Sequence, residues 1–239
     1  DASGEGNNFT NNNTVVTTTH TPTNSYCLWN PLNLGDSGDV LSNGNRTVAS
    51  GGSQYAPLGS TLSFPSTGTF YIEWECVNGT TSTKNTEYVG VIGQNRNMGA
   101  GTTQYLGSQA EDYSVYGNNG NKVNNGSRVA YGVGWVDGDI IGMYWNAGTI
   151  WFTLNGALMN SATEGEVVAG TTTNSAYSGL TDQAYFPSYS DHNNVTVPET
   201  YILRSEEAEW SATPFTGFVA LNTTNIAAAT TRTASDTNK

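Results

Sequence analysis

The feature that most constrains this chain is a block over residues 129–159 in which apolar residues alternate with small or polar ones, cut at intervals by tight-turn dipeptides. Successive side chains of a strand point to opposite faces, so a period of two specifies a strand with one face buried. Val129, Tyr131, Val133 and Trp135 alternate with Ala130, Gly132 and Gly134, which predicts one strand with those four side chains facing a core. Asp137-Gly138 turns the chain into a second strand over residues 140–145. Asn146-Ala147-Gly148 returns it along 149–154, and Asn155-Gly156 turns it again into 157–159. Such dipeptides tolerate the positive φ that tight hairpin turns need, and the block reads as a β-meander. Five Asn-Gly pairs, starting at Asn43, Asn78, Asn119, Asn125 and Asn155, carry the same punctuation along the chain.

A further strand is expected over residues 70–77, with Phe70, Ile72, Trp74 and Cys76 facing the core and Tyr71, Glu73, Glu75 and Val77 on a solvated face. Residues 88–92, 184–189 and 201–204 also read as strands, and 206–210 as the one helical turn. Many short strands without helical periodicity predict an all-β fold, a two-sheet antiparallel β-sandwich. At 239 residues the chain buries enough surface to fold without covalent staples. Cys27 and Cys76 are therefore expected to be buried free thiols, with a disulfide as the alternative.

The two ends differ from the middle. Residues 1–22 are polar with an Asn/Thr run, and 227–239 are rich in Ala and Thr. Neither segment buries enough to offset its own ordering entropy, so both are expected to be extended arms that lie on the sandwich (residues 23–226) or on a neighbouring chain. The chain begins with Asp1 rather than Met, which is expected of a processed product or a piece of a longer protein.

Charged residues make up only 12% of the chain, against about 25% in an ordinary soluble domain. Asn, Thr, Ser and Gly take their place, giving a neutral, hydrogen-bonding surface suited to virion shells and carbohydrate-facing proteins. A net charge of −12 with eight scattered basic residues argues against nucleic acid as a partner, because that affinity comes from Lys and Arg neutralising phosphates. No apolar run is long enough for a transmembrane helix, and membrane insertion is not expected.

Several segments carry a family resemblance. Tyr131-Gly-Val-Gly-Trp-Val-Asp-Gly-Asp-Ile-Ile-Gly-Met-Tyr-Trp, followed by Gly148-Thr-Ile-Trp-Phe-Thr-Leu-Asn-Gly, resembles the central hairpins of SPRY domains. Phe70-Tyr-Ile-Glu-Trp-Glu resembles an early strand of that family, and Phe186-Pro-Ser-Tyr-Ser a late one. The entry segments from Asp1 and Pro22, the Tyr113 to Gly126 segment and the exit segment from Phe215 to Ile226 are similar to SPRY-like domains of bacteriophage structural proteins. The resemblance covers residues 1–226. It implies a SPRY/concanavalin-like jelly roll serving as a non-enzymatic module of a virion: a tail fibre, spike or capsid decoration. The resemblance implies no particular ligand; the partners expected are other virion proteins and copies of itself, with a host surface glycan or protein as a further alternative. Residues 160–178 are longer and more polar than the family's usual link, and 195–210 lack a strand that many members show.

Chemistry is sparse. Glu73 and Glu75 share one strand face at a separation compatible with a glycosidase pair, the alternative being a solvated face. Asp36, Asp39, Asp137 and Asp139 flank turns and read as turn-formers rather than calcium ligands. No cofactor, metal or catalytic residue is expected. The binding prospects lie in loops: Tyr105, Tyr113 and Tyr116 in a Gly-rich region, and Asp191 with His192 on a late loop. Aromatic faces beside polar side chains suit sugars or protein partners.

Overall fold

The computed structural model describes residues 20–21, 23–35, 38–51, 56–78, 87–97, 104–191 and 199–227. Among the described residues fourteen strands form two sheets. In chain order they are β1 (Val40–Ser42), β2 (Thr47–Ala49), β3 (Leu58–Gly59), β4 (Thr69–Asn78), β5 (Tyr88–Gly93), β6 (Asp112–Tyr116) and β7 (Lys122–Asn124). Then follow β8 (Ser127–Val129), β9 (Ile140–Asn146), β10 (Thr149–Leu154), β11 (Ala157–Leu158), β12 (Tyr185–Ser190), β13 (Thr200–Arg204) and β14 (Val219–Ala220). One sheet runs β1-β2-β13-β4-β9-β10-β11, with β14 added parallel to β4; the other runs β3-β12-β5-β6-β7-β8. All other pairings are antiparallel, as the sandwich expectation requires.

The core lies between the sheets. Phe70, Ile72, Trp74 and Cys76 of β4 face it, with Ile141, Met143 and Trp145 of β9 and Val89, Val91 and Val115 from the opposite sheet. The turn dipeptides act as read: Asn43-Gly44, Asn125-Gly126 and Asn155-Gly156 each have positive φ at both residues. Ala147 takes φ 46° ahead of Gly148, so a non-glycine residue carries the same turn between β9 and β10. Gly79 lies outside the described residues. Cys27 and Cys76 are free and buried, and burial pushes the Cys27 thiol up to about 11.

Three expectations are corrected. The strand expected over residues 129–135 ends at Val129. Tyr131 and Trp135 are buried, but Val129 and Val133 are 50% and 60% exposed. Gly132 and Trp135 donate to the carbonyls of Gly120 and Gly117, so this stretch packs on the loop after β6. The glycines permit that approach: a Cβ on Gly134 would lie 2.3 Å from the Asn118 carbonyl oxygen.

The second correction concerns Glu73, which is fully buried rather than solvated. Residues 210–218 and helix α1 (Glu164–Ala169) fold over the outer face of the large sheet and bury Tyr71, Tyr144 and Trp151 in a second apolar cluster. The Glu73 carboxylate accepts from the Tyr71 hydroxyl at 2.9 Å and from the backbone N–H groups of Ser211 and Ala212 at 2.9 and 3.1 Å. Glu75 instead pairs with Arg204 at 2.6 Å. The outer face is wanted inside because it is aromatic, and an aromatic face needs a cover.

The third correction is α1 itself, in the polar stretch read as a long link. Thr163 caps it, accepting from the Glu166 N–H while the Glu166 side chain accepts from the Thr163 N–H. The expected helical turn is a 3-10 turn at Glu207–Glu209, and a short helix α2 (Thr223–Ala227) ends the described chain.

Candidate functional site

The outer face of the six-stranded sheet is also covered. Tyr88 of β5 and Tyr116 of β6 are directly opposed in register, so their rings meet on this face, stacked 4.7 Å apart. Tyr105 stacks on Tyr88 at 4.9 Å from residues 104–109, which cross the sheet and bury Leu106 against Ile92 and Val123.

A buried ion pair pins that crossing segment. Arg96 Nε donates to Asp112 Oδ1 at 2.7 Å, and Arg96 Nη2 donates to the Gln104 carbonyl at 3.0 Å. The other Asp112 oxygen accepts from the N–H groups of Gly107 and Gln109 at 3.2 and 3.3 Å. Burial pushes the Asp112 carboxyl up, against the pull of Arg96 and those two N–H groups. Ser190 accepts from the Leu106 N–H, and the Ser114 hydroxyl donates to the Leu106 carbonyl. Gly107 takes φ 108° and lies so close that a Cβ would meet Ser114 Oγ at 2.8 Å. Tyr105 is thus presented from a segment that the side chains of Arg96, Asp112, Ser114 and Ser190 hold by hydrogen bonds to its backbone.

Arg128 of β8 completes the cluster. Its guanidinium carbon lies 4.4 Å from the Tyr116 ring centroid, 5.6 Å from Tyr105 and 5.9 Å from Tyr88, and its Nη2 donates to the Tyr88 hydroxyl at 2.6 Å. A guanidinium over aromatic faces is held by cation–π attraction and keeps its planar fork. Among the described residues its other N–H groups have no protein partner. The remaining described basic side chains are engaged: Arg46, Arg96 and Arg204 with carboxylates, and Lys122 with the Ala176 carbonyl at 2.9 Å. Arg128 is the one among them that is exposed. A fixed, exposed guanidinium is chemically a receptor for a carboxylate or another planar anion.

The structure separates the residues singled out in the sequence. Tyr105 and Tyr116 come together here. Tyr113, three residues before Tyr116 on β6 and so on the opposite face, points between the sheets, with its ring edge-on to Tyr177 and Tyr185 at 5.1 and 5.7 Å. Asp191 is 4% exposed and accepts from the Ser50 hydroxyl at 3.0 Å. His192 lies outside the described residues. Tyr88 and Arg128 went unread; a tyrosine in register with Tyr116 and an Arg beside an Asn-Gly turn were the signals available. Among the described residues no three His, Cys, Asp or Glu side chains cluster in a way that could hold a metal ion. Asp139 is used by the turn, accepting from the Val136 N–H and the Asn155 amide.

A scan against protein-family models finds no match, and a search of curated proteins finds none. Among solved structures the chain is similar to the SPRY domain of human HERC1, with a TM-score of 0.54 and 13% identity, covering 74% of this chain and 96% of that one. The likeness establishes a SPRY-type β-sandwich as the fold.

Proposed function

We propose that this chain is a non-enzymatic recognition and assembly module of a bacteriophage particle. The observation that carries the recognition role is Arg128 held over Tyr116 at 4.4 Å on an exposed strand, a group displayed for binding. The carboxylates that sequence offered for hydrolysis serve the fold instead, Glu73 under the 210–218 segment and Glu75 on Arg204. SPRY-type scaffolds choose ligands through what is mounted on them, so the fold is compatible with this role and does not name the ligand.

The virion setting comes from the order of segments that resemble phage SPRY-like domains. The assembly role rests on the arms, 1–22 and 227–239. The chain just inside them is paired: Cys27 N–H donates to the Leu221 carbonyl, Thr223 N–H to the Ser25 carbonyl, and Tyr26 bridges Asn222. The described residues from which both arms continue therefore lie side by side.

A glycan-binding adhesin is the second reading, favoured by the neutral Asn/Thr/Tyr-rich surface. A glycan array and a hydrolysis assay on the same saccharides test the proposal. Binding to no glycan and cleavage of none is the expected result. Saturable glycan binding would favour the adhesin, and hydrolysis abolished by Glu73→Gln or Glu75→Gln would overturn the non-enzymatic reading.

A further inference from the structure

Among the described residues β8 is an open edge of the six-stranded sheet, with backbone groups directed away from β7. Asn125-Gly126 forms a two-residue hairpin loop between β7 and β8. The residues flanking such a loop, Asn124 and Ser127, form the hydrogen-bonded pair, so Arg128 opposite Val123 is in a non-hydrogen-bonded pair. Its N–H and carbonyl point away from β7. Among the described residues neither they nor those of Ala130 make a backbone hydrogen bond. Residues 125–130 are exposed without a break. The edge thus offers two pairs of ladder groups, two residues apart.

The two faces of this edge differ. Arg128 projects to the tyrosine side. Ser127 and Val129 alternate to the other side, where a pocket of about 180 Å³ is lined by Lys122, Asn124, Ser127, Val129 and Tyr177. Val129 is 50% exposed there. Among the described residues Arg128 has no carboxylate partner, whereas Arg46, Arg96 and Arg204 each have one.

We propose that β8 receives an extended acidic peptide segment of a partner protein, added as a strand to the open edge, with a carboxylate on Arg128 and a neighbouring apolar side chain beside Val129. The inference rests on the recognition reading above and gives it a ligand class. A peptide is the occupant that uses all three features. Only a peptide strand satisfies the N–H and carbonyl groups of Arg128 and Ala130 in alternation, and its own alternation sends an acidic side chain to one face and the next residue to the other. An acidic glycan would use the guanidinium alone. The net charge of −12 repels an acidic partner at long range, so the contact forms best at physiological salt, where repulsion beyond about 8 Å is screened.

The test presents the full chain with a library of terminally blocked random heptapeptides at physiological salt. Recovered peptides are expected to carry Asp or Glu with an apolar residue next to it. Their binding should weaken at least about tenfold in Arg128→Gln, the loss of one charge-assisted hydrogen-bonded pair. That variant also loses the ring contacts and the Tyr88 hydrogen bond of Arg128, so its melting temperature should fall by about 2–4 °C with the fold intact, and binding is compared well below that transition. N-methylation of alternate amides of the best peptide should abolish binding, whereas methylation of the intervening amides should not. Peptides without acidic enrichment, or bound equally by Arg128→Gln, would overturn the edge assignment and leave the recognition reading standing. Arg128-dependent capture of a uronic-acid oligosaccharide with no peptide recovered would overturn the peptide and keep the site. Capture of neither overturns both.

Discussion

The indole Nε1 of Trp135 donates to the phenol oxygen of Tyr201 at 2.8 Å, joining the segment after β8 to β13 of the opposite sheet. Both side chains are buried, Trp135 at 1% exposure and Tyr201 at 0%. Truncating Trp135 to Ala removes a large core side chain and this bond together, and should cost about 3–5 kcal/mol in denaturant unfolding. Trp74→Ala, in the centre of β4, should cost the same. Trp135→Phe keeps most of the ring and leaves the Tyr201 hydroxyl without its donor, for about 1–3 kcal/mol. An unaltered denaturation midpoint for either Ala variant would contradict the packing described.

Glu73 offers a second check on the covered outer face. Its carboxylate accepts from the Tyr71 hydroxyl, the Ser211 N–H and hydroxyl and the Ala212 N–H, so Glu73→Ala removes the acceptor of four donors beneath the 210–218 segment. The expected cost is about 3 kcal/mol or more, with faster proteolysis within 210–218. A solvated Glu73 would be replaced at almost no cost.

How much of this was legible follows the periodicity. The inward face of β4, the meander from Ile140 to Leu158 and the Asn-Gly turns were readable because alternation and turn chemistry are local signals. The second layers were not, because they depend on what covers a face. Tyr71, Tyr144 and Trp151 did mark their side as apolar, and reading β9 and β10 as buried on both faces would have revealed the cover. Helix α1 carried its own signal, Thr163 and Glu166 in capping-box spacing with Gly170 after it, lost inside a polar stretch. The site was half legible. Tyr105 and Tyr116 were chosen for their loop, but the register that puts Tyr88 against Tyr116 and the reach of Arg128 across β7 are properties of the paired sheet. Tyr113 was separated from them by alternation alone.

The Arg96–Asp112 pair should behave as a structural pin. Arg96→Met leaves Asp112 buried without its counter-ion and should cost about 3–5 kcal/mol, whereas Arg96→Met with Asp112→Leu should recover much of that loss. Equal destabilisation in the single and double variants would show that the hydrogen bonds from Gly107 and Gln109, not the charges, hold the segment.

Alkaline pH should unfold the chain through its tyrosines. Burial raises Tyr71, Tyr131, Tyr177, Tyr189 and Tyr201 above their ordinary value, Tyr144 to about 12 and the Cys27 thiol to about 11. Below the unfolded values, about 8.5 for Cys and about 10 for Tyr, both states keep their protons and stability is at its full level. Above them the unfolded chain releases protons that the folded chain retains, so stability falls as pH rises towards the folded values. Tyrosinate absorbance from these residues should appear together with the loss of near-UV circular dichroism. Gradual ionisation with the fold intact would mean that the tyrosines are accessible.

Sedimentation velocity over a concentration series, on the whole chain and on residues 23–226, tests the central claim of an assembly module most directly. The account predicts reversible self-association of the whole chain and a folded monomer once 1–22 and 227–239 are removed, since the described residues from which both arms continue lie side by side. A whole chain that stays monomeric at every concentration, or a trimmed chain that associates just as strongly, would contradict it.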